Sequence, residues 1–350
     1  MPKLDSDRRE FLRAAFAAGL AAGVTPPLLA RAASTHRLGG RTGRSVDPIL
    51  PWESPRPDVF VSRTETSWGG NVLIATGDGP RDEAGVLVVD AKYPAFCSAI
   101  RHDAGAMGAE TVHYVNTHHH ADHSSGNLIF TGEGRAHAHR ACIARLVSQH
   151  EGYLDQLRAA PQVARRFGRE RVEDLAVELI TGAGSPPPEA WVPENHVGDD
   201  GGSVPVEGLE VRLLHGGAGH TDNDLIVHLP SRNTVHTGDL IFSGLHPFID
   251  RPGGASARGW VERLRLIESL CDAETVVVPG HGPIGGVGIV LAQRDYLERL
   301  IETVRGAIRA GTPREQLIDQ RFEFMEGLGF ERIAPRAIGA VYDEIEQDEI

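Results

Sequence analysis

From about residue 58 onward, short apolar runs alternate with glycine-rich breaks. Residues 59–66, 72–75 and 86–89 are β-prone runs of this kind. The clearest break is Gly77-Asp78-Gly79-Pro80, a strong turn signal. Residues 95–105 predict a helix, and 111–115 a strand that leads straight into a cluster of histidines. Residues 138–180 read as helical, with Ile143, Leu146 and Val147 on one face, then Leu154 and Leu157. The proline-rich stretch 184–193 predicts a loop. Strands resume at 209–214, 224–229, 234–237 and 275–278. Between the last two, Trp260, Leu264, Ile267 and Cys271 recur at helical spacing and predict a helix over about 258–271. Two helices close the chain, the second opening at Thr312-Pro313-Arg314-Glu315, a capping box with proline in its first turn. Strands followed by helices, twice over, make an α+β protein built in layers.

The N-terminal stretch follows a different pattern. Residues 33–57 are rich in Gly, Pro and Arg without apolar periodicity, which predicts an extended tether. Before it, Asp7-Arg8-Arg9-Glu10-Phe11-Leu12-Arg13 precedes an alanine-rich apolar run and Ala30-Arg31-Ala32. Charged start, short apolar segment and A-x-A site mark an export signal over 1–32, and the paired arginines give it the twin-arginine type. The expected location is the periplasm. The apolar run is too short to cross a membrane and Pro26-Pro27 interrupts it. Residues 58–350 read as one domain with C-terminal helices and no internal repeat. At 350 residues and 41% hydrophobic content the chain can bury a large core. Its formal net charge is -13, and loss of the five Lys/Arg and three Asp/Glu in 1–32 takes it to about -15. Such a protein repels phosphate backbones, so a small molecule is the expected partner and nucleic acid is not. Oligomeric state leaves no sequence signal. Cys97, Cys142 and Cys271 have no metal-type spacing and read as small buried hydrophobes, with one disulfide left open.

The chemistry lies in Thr117-His118-His119-His120-Ala121-Asp122-His123. His118, His120, Asp122 and His123 are four metal-competent side chains within six residues, too close together all to serve one ion. They can serve two neighbouring ions if distant segments complete both shells. Candidates are His220 in Gly-His-Thr, Asp239 in Thr-Gly-Asp and His281 in Pro-Gly-His-Gly-Pro. His119, between two ligands, points elsewhere.

This ordered set, over about 58–300, resembles the metallo-β-lactamase superfamily. The resemblance implies a four-layer αββα sandwich. It also implies one metal held by His118, His120 and His220, a second held by Asp122, His123 and His281, and Asp239 bridging them. Asp90, ending the run 86–89, resembles the superfamily's structural aspartate below the metals. Gly-His-Thr-Asp-Asn-Asp, Thr-Gly-Asp-Leu-Ile-Phe and Pro247-Phe248-Ile249-Asp250 resemble a periplasmic branch of bacterial hydrolases. Two Zn(2+) per chain suit this nitrogen and oxygen donor set, although such donors also accept iron or manganese. The implied reaction is attack on a carbonyl bond (ester, lactone, thioester or amide) by a hydroxide bridging two metals, with Asp122 orienting it and moving its proton. Leu240, Ile241 and Phe242 follow Asp239, where the cysteine-containing zinc β-lactamases commonly place a lysine for the drug's carboxylate. That leaves room only for weak β-lactam turnover. Alternatives on the same fold are an iron-dependent sulfur dioxygenase or other redox enzyme, a phosphodiesterase, and a non-catalytic binder. Trp68, His246 and Phe248 are candidate substrate contacts near the mouth.

Overall fold

The computed structural model describes residues 48–64, 68–80, 83–108 and 111–348. The export signal expected over 1–32, and the expected tether as far as residue 47, lie outside them. Residues 48–57 are not tether. Ile49 and Leu50 donate backbone N–H bonds to Asp103 at 2.8 and 2.9 Å. Glu53–Arg56 (β1) pairs antiparallel with Val59–Ser62 (β2). A half-exposed edge strand of charged residues and proline has no apolar alternation by which to announce itself.

Two sheets form. The first runs β1, β2, Val72–Thr76 (β3), Val86–Val89 (β4), Val112–Asn116 (β5), Ala136–His139 (β6) and Asn195–Val197 (β7), in that order. β1 to β4 are antiparallel; β4 to β7 are parallel, with the helix Pro94–Met107 making the crossover from β4 to β5. The second runs Val276–Val278 (β12), Thr234–His236 (β11), Ile226–Leu229 (β10), Arg212–Leu214 (β9) and Gly202–Ser203 (β8). Strands β2 to β5 are buried on both faces, which is why β2 to β4 read as near-continuous apolar runs rather than alternating ones.

Val61, Leu73, Leu87 and Val115 of the first sheet meet Leu213, Val227 and Val278 of the second in an inter-sheet core. Trp260 and Leu264 of the helix Ala257–Ser269, with Leu297 and Leu300 of the helix Val287–Arg309, cover the second sheet. Leu146, Tyr153, Leu157 and Trp191 close over the side of β6. Helix, sheet, sheet, helix is the αββα sandwich that the sequence led us to expect.

Two expectations need correction. Residues 138–180 are not helical throughout: 138 and 139 finish β6, and three helices follow, Cys142–Ser148, His150–Arg166 and Glu170–Ala183. β6 reads Ala-His-Ala-His, without a β-branched residue; its partners β5 and β7 make it a strand. The helix expected from Thr312 is a single turn, Arg314–Leu317, capped by no side chain. Beyond it Phe322 and Phe324 fall out of helical spacing and pack beneath the helix Val287–Arg309, where Phe324 meets Tyr296 edge-on. The last helix is Ala334–Asp348, with Pro335 in its first turn. All three cysteines are free, and burial pushes the Cys97 thiol up to about 12. No helix among the described residues is long and apolar enough to cross a membrane.

Candidate metal centre

β5 ends at Asn116, and the following residues curl over its C-terminal edge into the short helix Ala121–Ser124. His120 keeps an extended backbone at the cap of this helix, whereas Asp122 and His123 sit on its only turn. The change of backbone fans four side chains in two directions. The second sheet supplies the remainder: His220 precedes β10, Asp239 lies in a tight turn after β11, and His281 follows β12. Close backbone approach makes this convergence possible. A Cβ on Gly70 would lie 2.0 Å from the His123 ring, and one on Gly280 would lie 2.0 Å from Asp239 Oδ1.

The seven predicted residues come together as two groups. In one, His220 Nε2 lies 2.9 Å from His120 Nδ1 and 3.5 Å from Asp239 Oδ2, and His118 Nε2 lies 3.7 Å from that oxygen. In the other, Asp239 Oδ1 lies 3.0 Å from His123 Nε2 and 3.4 Å from His281 Nε2, which lies 3.1 Å from Asp122 Oδ2. A tetrahedral shell with bonds of about 2.0–2.2 Å has donor–donor edges of roughly 3.3–3.6 Å. Both groups match that scale. His118 Nε2 is buried and makes no hydrogen bond, so it points an unused lone pair into the space between, while Asp239 Oδ1 faces His123 Nε2 at 3.0 Å.

The outer nitrogen of every one of the five imidazoles faces an oxygen. His123 Nδ1 meets Asp90 Oδ2 at 2.7 Å, His120 Nε2 meets Asp250 Oδ2 at 2.9 Å, and His220 Nδ1 meets the Phe248 carbonyl at 2.6 Å. His118 Nδ1 lies 3.0 Å from Thr117 Oγ1, which itself donates to Asp90, and His281 Nδ1 lies 3.3 Å from Thr64 Oγ1. An imidazole whose outer N–H is fixed this way turns its bare nitrogen inward, as metal binding requires. Asp90 joins the group from below: it accepts from Thr117 N–H and Oγ1, both at 2.8 Å. Thr64, Thr117 and Asp250 were not foreseen in these roles. Asp250 and Thr117 stood in quoted motifs without a role of their own, and Thr64 left no signal.

Electrostatics sets His118 and His220 apart from His123 and His281, while burial opposes charging of His120 but Asp250 outweighs it and raises that imidazole. Burial drives His118 down, and His220 down to about 3, keeping both neutral. Burial opposes charging of His281 as well, but Asp239 and Asp122 outweigh it and bring it up to about 9; His123 is raised for the same reasons. Burial would raise Asp239, yet His281, His123 and His118 hold its carboxyl well below the usual range.

His119 points away, as expected, to Asn223 Nδ2 at 3.0 Å. Phe248 lies beside the first group, its ring centroid 5.7 Å from that of His120. Trp68 is half-buried and meets Phe167 edge-on at 6.4 Å. His246 is turned to the Tyr296 hydroxyl at 3.0 Å, with Glu331 and Arg321 as its charged neighbours, and among the described residues it contacts none of the seven. The mouth-lining role expected of it does not fit, because its side chain packs into the helical layer. His139, Asp199 and His215 also cluster. There the two rings stack 3.8 Å apart and nearly parallel, so their lone pairs run side by side instead of converging.

Similarity to known proteins agrees with this geometry. The chain is 24% identical over 167 residues to a metallo-beta-lactamase type 2 of Bacteroides fragilis, which covers 48% of this chain and 59% of that protein. It is 26% identical over 206 residues to the probable metallo-hydrolase YqjP of Bacillus subtilis, covering 55% and 61%. The chain thus spans about three fifths of the length of these two relatives. Among solved structures, a metallo-beta-lactamase from Pontibacter korlensis is 15% identical with a TM-score of 0.49, covering 71% of this chain and 99% of that one. The family model of the metallo-beta-lactamase superfamily matches residues 67–281, a span that takes in all seven converging side chains, and the chain belongs to that superfamily of metal-dependent hydrolases.

Proposed function

We propose that the chain is a dinuclear zinc hydrolase that cleaves a small ester, lactone, thioester or amide, and that it reaches the periplasm by twin-arginine export. The observation that carries this reading is the single carboxylate of Asp239, which offers Oδ2 to His118 and His220 and Oδ1 to His123 and His281. His118, His120 and His220 would hold one ion, Asp122, His123 and His281 the other, and Asp239 would link them. When bound, the metals supply Lewis acidity and lower the pKa of water towards neutrality.

The chain's own residues supply orientation and proton handling. Asp122 has the most exposed side chain of the seven, at 24%, so it stands where a water enters. From there it orients that water, accepts its proton and returns it to the leaving group. Asp90, Asp250 and Thr117 hold the imidazoles in place before substrate arrives, so little reorganisation is needed. Phe242 stacks on His281 and Phe248 lies beside His120, keeping water off the donors and strengthening the charges between them. The formal net charge of -13 favours a small neutral substrate over a phosphodiester backbone.

The test is metal analysis and turnover of the zinc-loaded protein on β-lactam, lactone, thioester and phosphodiester substrates. Two zinc ions per chain are expected, with activity on a carbonyl substrate lost on chelation and restored by zinc. Asp122→Ala should lower turnover on the order of 10²- to 10⁴-fold. Finding no more than one tightly held ion, or full activity without Asp122, would overturn the reading. A fusion of residues 1–40 to a folded reporter should reach the periplasm only while Arg8 and Arg9 are intact.

A further inference from the structure

We propose that Phe330 is a specificity-determining wall of this site, contacting an aryl or alkyl group carried by a neutral acyl substrate. The proposal rests on the hydrolase reading above and deepens it. Phe330 lies beyond residues 67–281, so the superfamily's shared pattern does not account for it. Its ring centroid is 6.0 Å from that of His281, edge towards face, while 43% of the residue remains exposed. Among the described residues it is the only aromatic in the set of large hydrophobics that are exposed.

Its backbone sits at φ +60°, a left-handed conformation that bulky side chains rarely adopt. The backbone around it keeps it there. Gly329 donates to the Gly244 carbonyl at 3.0 Å, and His246 N–H donates to the Gly329 carbonyl at 2.9 Å. This short bridge docks the segment onto the stretch that follows Asp239. A large apolar ring held in strained backbone, yet filling no core, contributes little to folding. Strain of that kind persists where a side chain has to be presented.

Phe248 does the corresponding thing at the other end, beside His120. Beyond the buried Phe242, which touches both groups, each metal group therefore has a less buried phenylalanine at its side, and a substrate lying across both groups meets an apolar surface at each end. Leu240, Ile241 and Phe242 put no cation after Asp239 to anchor an anionic substrate. The chemistry that fits is an acyl group with an aryl or alkyl substituent, and without an obligatory carboxylate.

Phe330→Gly removes the ring and suits the left-handed backbone, whereas Phe330→Leu keeps apolar bulk. On the zinc-loaded protein, kcat/KM would be compared for a phenylacetyl and an acetyl thioester of the same thiol. Phe330→Gly should lose roughly tenfold or more on the phenylacetyl substrate and no more than about twofold on the acetyl one. Phe330→Leu should retain most of the wild-type preference. The thermal midpoint of metal-free Phe330→Gly should equal or exceed that of wild type. An equal loss on both substrates, no loss on either, or a clearly lowered midpoint would overturn the proposal. A second readout does not require turnover: calorimetric binding of benzyl mercaptan and of ethanethiol to the zinc-loaded protein. Phe330→Gly should weaken only the former, and equal changes in both would overturn the proposal. A chain that takes up no metal would instead fail the hydrolase reading itself.

Discussion

The two halves of the candidate site use the same residue type at the same depth, and two imidazoles of one reach the opposite charge state to the two of the other. His118 and His220 are buried and pushed down, His220 to about 3. His123 and His281 are as deeply placed, yet they are raised, His281 to about 9. Burial works against the charged form in all four. What differs is the company: Asp239 and Asp122 face His281, and Asp90 joins them at His123, whereas His118 faces three other imidazoles and at His220 burial and His120 outweigh the carboxylates. His118 and His220 are already in the neutral form that a metal binds, whereas Asp250 raises the third imidazole of that half, His120, against the effect of burial. The mixed half balances its carboxylates with protons and must give them up when a metal enters. Two imidazoles of one half are prepared for metal, and the other half exchanges protons for it.

The strongest way to break this comparison is to remove the residue that both halves share. Asp239→Ala takes a donor from each half, and leaves His123 and His281 with fewer carboxylates to compensate them. Zinc content should fall to about one ion per chain or less, and kcat/KM on the order of 10³-fold or more. Two retained ions with near-normal turnover would show that Asp239 links nothing. A milder change sharpens the comparison on one side only. Asp250 meets His120 Nε2 at 2.9 Å and is not among the contacts of the mixed half. Asp250→Asn should weaken the three-imidazole half by about 10- to 100-fold in zinc affinity, leaving the other unchanged, as read by competition with a chelator. Equal weakening of both would mean that they are not separable.

The inner donors were legible in the sequence because their spacing is local chemistry. His118, His120, Asp122 and His123 lie on one turn of chain, and His220, Asp239 and His281 each sit beside a glycine or at a strand end. The sheets were legible where both faces are buried, as in β4, Val-Leu-Val-Val. They were not legible in β6 or β1, where neighbouring strands rather than side-chain type set the conformation. The outer partners were the least visible. Thr64 and Asp250 reach their imidazoles across 217 and 130 residues of sequence; a lone threonine carries no motif, and the motif that holds Asp250 does not say which imidazole it meets. Phe330 lacked a signal for a related reason: its significance lies in a left-handed φ and in the ring it stands beside, neither of which is encoded locally. The misplaced His246 shows the converse. Proximity in sequence to Asp239 suggested the mouth, but the chain turns between them and buries the imidazole against Tyr296.

The gentlest separation of the halves needs no substitution, only pH. In the metal-free chain His281 titrates at about 9 against an ordinary 6.5, and His123 is raised in the same sense. A raised imidazole stabilises fully below about 6.5, and its contribution fades as pH rises through about 9. His118 and His220 act with the opposite sign. The unfolded chain takes up protons there that the folded chain refuses, so their contribution is complete above about 6.5 and is lost as pH falls, for His220 through about 3. Asp239, held low, adds stability above the ordinary carboxylate range and loses it only under stronger acid. The thermal midpoint of the metal-free protein should therefore be highest near pH ~6.5 and fall by several degrees on each side. The acid limb comes from His118 and His220 together with the lowered His119 and His236, and the alkaline limb from His123 and His281 together with the raised His120. Zinc requires neutral imidazoles, so loading should remove the alkaline limb between about 6.5 and 9 and raise the curve as a whole. An alkaline limb that is flat without metal, or unchanged with it, would show that the mixed half does not hold the protons assigned to it.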